Sequence, residues 1–214
     1  MQVMDKVLRF IKNSHKLSYN VILIDIKYIP KYIIRKYIRS NPYKYFELGF
    51  IYQYYYEDYK QMYEYYQQSL DNDNTLLHLG LYYLRIFNIK SREYFMRAVE
   101  LGNADAMCYL GYYELAKLMK KKYYEMASAL GNSNAMFYLG EYYNNYTKKY
   151  DLMKKYYLHA IELGHSDAMY SLGNYYHFYK KNYKLMKHYY MCAIKLNSQD
   201  SIDGIVDYYR LKIY

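Results

Sequence analysis

Apolar residues recur along this chain with a helical period, in two blocks that alternate. The first block reads DAMYSLGNYY at Asp167–Tyr176, NAMFYLGEYY at Asn134–Tyr143 and DAMCYLGYY at Asp105–Tyr113. Weaker copies are LLHLGLYY at Leu76–Tyr83 and FELGFIY at Phe46–Tyr52. The second block reads LMKKYYLHAIELG at Leu152–Gly164, LMKHYYMCAIKLN at Leu185–Asn197, LMKKKYYEMASALG at Leu118–Gly131, SREYFMRAVELG at Ser91–Gly102 and QMYEYYQQSL at Gln61–Leu70. Met169, Leu172, Tyr175 and Tyr179 form one apolar stripe, and Met186, Tyr189, Ala193 and Leu196 form the other. The pattern predicts a helix A and a helix B in each copy. Each is too short to stand alone in water, so the copies must stack to bury their stripes.

The period fixes the architecture. A Leu-Gly pair places glycine at 49, 80, 111, 140 and 173, with spacings of 31, 31, 29 and 33 residues. An aromatic pair opens at Tyr65, Tyr94, Tyr123, Tyr156 and Tyr189. From aromatic pair to next glycine the distance is 15 residues once and then 17 three times; from glycine to pair it is 16, 14, 12, 16 and 16. Insertions therefore fall in the A–B turn, and the third turn must fit within Glu114–Lys117. The expected fold is all-α: an α-solenoid of about five helix–turn–helix repeats with a terminal capping helix. Residues 41–214 form the array. Residues 1–40 form an N-terminal cap or degenerate half-repeat, with a recruiting module as the alternative. In the last segment, Ser201–Tyr214, Val206 stands where the helix A glycine would be.

Two classes of glycine are distinguished. Glycine inside a helix costs roughly 1 kcal/mol relative to alanine, so five at one position imply a close approach. The expected partner is the alanine column of helix B: Ala98, Ala127, Ala160 and Ala193, with Ser69 in the first copy. Gly102, Gly131 and Gly164 follow helix B directly and suit a left-handed cap. The polar residues after them, Asn103, Asn132 and His165 and then Asp105, Asn134 and Asp167, suit the N-cap of the next helix A.

These residues resemble the Sel1-like repeat family of the tetratricopeptide superfamily. The resemblance rests on A-x-x-x-L-G-x-Y-Y in helix A (Ala135–Tyr143, Ala168–Tyr176) and Y-Y-x-x-A-x-x-L-G followed by alanine (Tyr156–Ala168), and covers about 41–214. The tyrosine-rich, basic dialect is similar to arrays of amoeba-infecting giant DNA viruses. The repeats are shorter than the family norm and lack its glycine in the A–B turn. The resemblance implies a protein-interaction scaffold with helix A lining a concave groove. Positions three before, one after and four after the Leu-Gly glycine would then meet a peptide or domain. The partner-binding candidates are Phe46, Phe50, Leu81, Tyr112, Phe137, Glu141, Asn144, Tyr170, Asn174 and His177. The alternative is that these positions pack internally.

Composition adds little chemistry. There are 39 tyrosines among 214 residues, against 7 phenylalanines and no tryptophan. Tyr, Lys, Asn and Ile share AT-rich codons, so composition bias accounts for tyrosine wherever any aromatic would fill the core. The net charge is +10. Lys120–Lys122, Lys148, Lys149, Lys154, Lys155, Lys180, Lys181, Lys184 and Lys187 cluster in A–B turns and on helix B. The alternative function is therefore a nucleic-acid-binding array using these lysines. No nucleotide-binding or catalytic signature occurs, and the six histidines share no metal-ligand spacing. No enzyme activity, cofactor or metal is expected. Cys108 and Cys192 read as buried free thiols, and no signal peptide or membrane span is evident, which suits an intracellular, cytoplasmic setting.

Overall fold

The computed structural model describes residues 45–86, 89–196 and 199–210. The expectations for residues 1–40 lie outside the described residues. Among the described residues there are 11 α-helices and no strand. They fall into two compact units, one ending at Gly102 and one beginning at Asn103. The first holds α1 (Tyr45–Ile51), α2 (Tyr59–Gln67), α3 (Asp73–Arg85) and α4 (Lys90–Glu100). The second holds α5 (Ala104–Tyr113), α6 (Lys117–Ala129), α7 (Ser133–Tyr142), α8 (Tyr150–Glu162), α9 (Ser166–Asn174), α10 (Tyr183–Ile194) and α11 (Gln199–Arg210). Odd helices to α9 are the predicted helix A copies and even ones the helix B copies. In the second unit each helix packs on the next in sequence, which makes that unit an α-solenoid.

The five Leu-Gly glycines are buried within helix A, but their partner differs from expectation. A Cβ at Gly49 would lie 2.2 Å from the Tyr66 ring, and at Gly80 2.6 Å from the Phe95 ring. At Gly111, Gly140 and Gly173 it would lie 2.7, 2.4 and 2.4 Å from the rings of Tyr124, Tyr157 and Tyr190. The smallest residue of helix A thus receives the largest side chain of helix B, the second member of the aromatic pair. The alanine column is fully buried at Ala98, Ala127, Ala160 and Ala193, yet it does not supply the nearest atoms to the glycines. Small-against-small was one solution to close approach; a ring laid over a bare backbone is the one used.

The first member of the pair stacks on the aromatic three residues after the glycine. Tyr83 and Tyr94 lie 5.3 Å apart at 5°, Tyr143 and Tyr156 5.5 Å apart at 8°, and Tyr176 and Tyr189 5.7 Å apart at 2°. Tyr52 and Tyr65 make the same contact at 5.3 Å and 21°. Each such pair contributes about 0.5–1.5 kcal/mol beyond its area. The third repeat lacks it, because Glu114 holds that position.

The uneven A–B spacings have a structural cause. Where glycine and aromatic pair are 16 apart, helix A ends in a single π turn: Tyr52–Tyr56, Tyr143–Thr147 and Tyr175–Tyr179. Each turn closes through a wide bond, Asp58 N to Tyr52 O, Lys149 N to Tyr143 O and Asn182 N to Tyr176 O, at 3.0, 3.1 and 2.9 Å. Beside it a non-glycine residue takes the left-handed conformation: Glu57, Lys148 or Lys181. The third repeat, with only 12 residues, has no π turn and breaks at Glu114–Ala116 as the spacing requires. There the Glu114 carboxylate accepts from the amides of Leu115 and Ala116 at 3.0 and 3.2 Å.

The B–A joints follow the expected cap chemistry. Gly102, Gly131 and Gly164 have φ of 86°, 81° and 80°. The N-caps are the earlier polar residues, Asn103, Asn132 and His165, whose side chains accept from the amides of Ala106, Ala135 and Ala168. Asp105, Asn134 and Asp167 lie inside the first turn instead. The last helix, α11, covers the end of the stack as expected, but with a different register. Gly204, not the position of Val206, faces the Tyr190 ring, where an added Cβ would lie 3.0 Å from it, and Tyr208 packs with Met186 and Tyr190.

The glycine–ring contact predicts the effect of one methyl group. Overpacking costs about 1–3 kcal/mol, and a clamped ring with backbone beneath it sits at the upper end, so the roughly 1 kcal/mol gain in helix propensity is outweighed. Gly140→Ala should lower stability by about 2 kcal/mol in urea titrations. Gly131→Ala meets no atom but is strained by its φ, so its loss should come without change in near-ultraviolet aromatic signal.

Candidate binding face of the helix A layer

The stripe that was expected to meet a partner is also the cover of the buried rings. The position three before the glycine stacks on the second aromatic: Phe46 on Tyr66 at 6.2 Å, Phe137 on Tyr157 at 6.0 Å and Tyr170 on Tyr190 at 5.6 Å, all within 26° of parallel. The polar members of the stripe receive the tyrosine hydroxyls. Tyr66 donates to Gln53 Oε1 at 2.8 Å, Tyr157 donates to Glu141 Oε1, and Tyr190 donates to Asn174 Oδ1. An unpaired buried hydroxyl costs several kcal/mol, so a core tyrosine requires such an acceptor. The second repeat carries its own control: Phe95 has no hydroxyl, and the position after Gly80 is Leu81. Burial, with Glu141 close by, pushes the Tyr157 phenol upward, and burial with Tyr170 raises Tyr190 to about 12.

In the first unit Phe46, Phe50, Tyr54 and Tyr66 surround the His78 ring at centroid distances of 5.5, 5.2, 5.6 and 6.5 Å. Tyr54 and His78 also share a hydrogen bond at 3.1 Å. Phe50 is only 3% exposed, and Leu81 is half-buried. Asn144, half-buried, donates to Asn145 Oδ1 at 3.4 Å. His177 lies 4.3 Å from the Phe178 ring and 5.8 Å from Tyr208; burial and then Lys181 lower its pKa.

A polar ladder missed in the sequence links successive helix A copies in the second unit. Asn132 uses Oδ1 to cap α7 and donates Nδ2 to Asp105 Oδ1 of α5 at 2.6 Å. His165 repeats the device one step on. Its Nδ1 accepts from Ala168 N at 3.3 Å, so the neutral ring carries its proton on Nε2, which donates to Asn134 Oδ1 at 3.1 Å. The readable signal was an amide or imidazole at the N-cap with an acceptor at the first residue of the previous helix A block.

Beyond this ladder a cavity of about 330 Å³ opens on the helix A face. Its walls are Asp105, Cys108, Tyr109, Tyr112 and Tyr113 from α5 and Asn134 and Tyr138 from α7. Helical spacing, 105–108–109–112 and 134–138, brings them to facing stripes. Tyr112 and Tyr113 are 50% and 51% exposed. Of the expected site residues, Tyr112 alone lines this cavity; Tyr109, Tyr113 and Tyr138 were not singled out. Cys108 is buried, and desolvation plus the Asp105 carboxylate raise its thiol to about 12, so it is no nucleophile near neutral pH. Lys120 donates to the Tyr112 carbonyl at 3.3 Å, capping α5. Lys121 pairs with Glu125, Lys154 pairs with Asp151, and Lys117 lies 4.8 Å over the Tyr146 ring. Among the described residues no three metal-ligating side chains converge, and no helix is long and apolar enough to cross a membrane.

Solved structures share the fold. A Sel1 repeat protein from Oxalobacter formigenes superposes with a TM-score of 0.68 at 18% identity, covering 94% of this chain and 87% of that one. The chain has the Sel1-repeat fold. A protective antigen of uropathogenic Escherichia coli, described as displaying an SLR fold, gives 0.65 at 19% identity over 84% of this chain. The match spans 43% of that protein, under half its length. An immunity protein of Pseudomonas aeruginosa gives 0.57 at 19% identity, covering 67% and 60%. No protein-family model matches the chain, and no curated protein matches it in sequence. The helix pairing of this fold is reached here with non-glycine residues, Glu57, Lys148 and Lys181, in left-handed conformations in three A–B turns.

Two outcomes follow from the polar partners. Glu141→Leu alone removes the acceptor of the Tyr157 hydroxyl, leaving Ser171 beside it, and should cost about 1–2 kcal/mol, whereas Glu141→Leu with Tyr157→Phe, the residue types already present at Leu81 and Phe95, should recover most of it in a double-mutant cycle. Protonation of His165 at Nδ1 would break its cap. Burial sets its folded pKa below 6.5, partly countered by Asp167, so its contribution is full above pH 6.5 and is lost as pH falls through the lowered value. His165→Asn keeps the cap without titrating. Thermal scans between pH 7.5 and 5 should show a shallower decline for this variant, with the slope due to His177 remaining.

Proposed function

We propose that the chain is a non-catalytic scaffold that holds a peptide or domain of another protein on the helix A face of its second unit. The observation that carries this reading is the cavity between α5 and α7, with Tyr112 and Tyr113 half-exposed at its mouth. Large rings that lose little rotamer freedom are the side chains from which protein interfaces draw most of their energy. Phe137 and Tyr170, half-buried along the same stripe, continue the apolar surface, and Glu141, Asn144, Asn174 and His177 give it polar edges. Phe46 and Leu81, half-buried, hold the corresponding positions of the first unit, where Phe50 is buried. The fold supports the reading, since stacked helix pairs present long rigid faces for recognition.

A random peptide display library panned on the wild-type protein tests it. Selected peptides should lose at least about tenfold in affinity for a chain carrying Tyr112→Ser and Tyr113→Ser. They should keep it for one carrying Lys154→Ser and Lys155→Ser on helix B. Equal binding to all three proteins, or loss only in the lysine variant, would contradict the assignment.

A further inference from the structure

The third repeat differs from the other four at one position of helix A. The position after the Leu-Gly glycine holds an acceptor for the core tyrosine in the fourth and fifth repeats, Glu141 and Asn174. It holds an apolar, at least half-buried residue in the first and second, Phe50 and Leu81, where Gln53 serves Tyr66 and Phe95 has no hydroxyl to serve. In the third repeat it holds Tyr112, whose ring stands half in solvent although a core tyrosine, Tyr124, lies beneath. Such local breaks in an otherwise consistent pattern mark functional positions.

The rings around this break are set at angles to one another. Tyr112 and Tyr113 meet at 5.0 Å and 79°, and Tyr112 and Tyr138 at 5.4 Å and 55°. Tyr138 is backed by Tyr124, stacked on it at 5.2 Å and 18°. Tyr109 completes a four-tyrosine wall, and Asp105 brings a carboxylate to the same cavity. Burial raises Tyr138 to about 12, so its phenol stays neutral and its ring face keeps its negative potential. The equivalent interval between α7 and α9 has Glu141 in place of Tyr112 and Ser171 in place of Tyr138. Tilted aromatic rings lining one cavity together with a carboxylate are complementary to a cation that is poorly hydrated.

We propose that the cavity between α5 and α7 is an aromatic cage for an alkylated ammonium group, supplied by an N-methylated lysine of the bound protein segment. The inference rests on the reading of this face as a protein-binding surface and names the chemistry that the face selects. Tyr112, Tyr113 and Tyr138 offer ring faces to the methyl groups, and Asp105, which also accepts from Asn132, supplies the opposite charge. Alkylation strips the ammonium of its hydration and of its hydrogen bonds, so ring faces can replace the water it has lost.

Choline chloride and its uncharged isostere 3,3-dimethylbutan-1-ol probe the cage directly, by nuclear magnetic resonance titration of the full chain at matched ionic strength. Choline should bind about tenfold more tightly than the alcohol, the difference that a desolvated cation–π contact supplies. Tyr112→Leu should abolish that preference, Tyr112→Phe should retain it, and Asp105→Asn should weaken choline binding several-fold. Peptides with trimethyllysine should outbind the same peptides with norleucine by a similar factor, and free choline failing to compete with them would overturn the site. Equal binding of choline and the alcohol, or an unchanged preference in Tyr112→Leu, would also overturn it. If displayed peptides still select the helix A face while choline does not bind, the cage is wrong and the scaffold reading stands; if neither binds, both fail.

Discussion

One contact organises the molecule: an aromatic ring of helix B laid over a helix A glycine. Its chemistry is a matter of volume. Removing a side chain from helix A lets the ring enter, and the ring fills what would otherwise be a void against bare backbone. Five copies recur at Gly49, Gly80, Gly111, Gly140 and Gly173. The contact fixes how close the two helices approach, and hence the stripes they present. It also explains why neither helix survives alone, since each copy supplies only one half of the fit.

That choice propagates into the surface. A ring in this position is tyrosine in four copies, and its hydroxyl must be satisfied. Gln53, Glu141 and Asn174 serve that need in the first, fourth and fifth repeats, which commits part of the helix A face to the core beneath it. The face is therefore neither a free binding groove nor a sealed layer. Where the acceptor is replaced by Tyr112, the same position turns outward and a cavity opens. In the later repeats the residue after the glycine decides whether helix A covers the ring beneath or stands open to solvent.

The repeat, its register, the glycine caps and the short third turn were legible because each leaves a periodic mark. The identity of the glycine's partner was not. Sequence periodicity aligns Gly140 equally with Ala160 and Tyr157, and only side-chain direction on helix B decides which one faces it. The N-caps were read as a polar run, and hydrogen bonding selected its first member, since the cap must precede the first helical residue. The π turns were visible only as longer spacings. Tyrosine abundance looked like composition bias, yet the pairing of Phe95 with Leu81 and of Tyr157 with Glu141 shows that the hydroxyl is accommodated residue by residue. The cavity was half legible: Tyr112 lay on the expected stripe, but Tyr113 and Tyr138 reach it only because the A–B turn is short and α7 packs at this offset.

The central contact can be observed without perturbing the protein. Nuclear Overhauser spectra of a sample labelled at glycine and tyrosine would report the nearest protons to each glycine. Strong cross-peaks should join the Gly140 α-protons to the Tyr157 ring and the Gly173 α-protons to the Tyr190 ring, while Gly131 and Gly164 show none to any tyrosine ring. Cross-peaks from Gly140 and Gly173 to the methyls of Ala160 and Ala193, with none to those rings, would contradict the account.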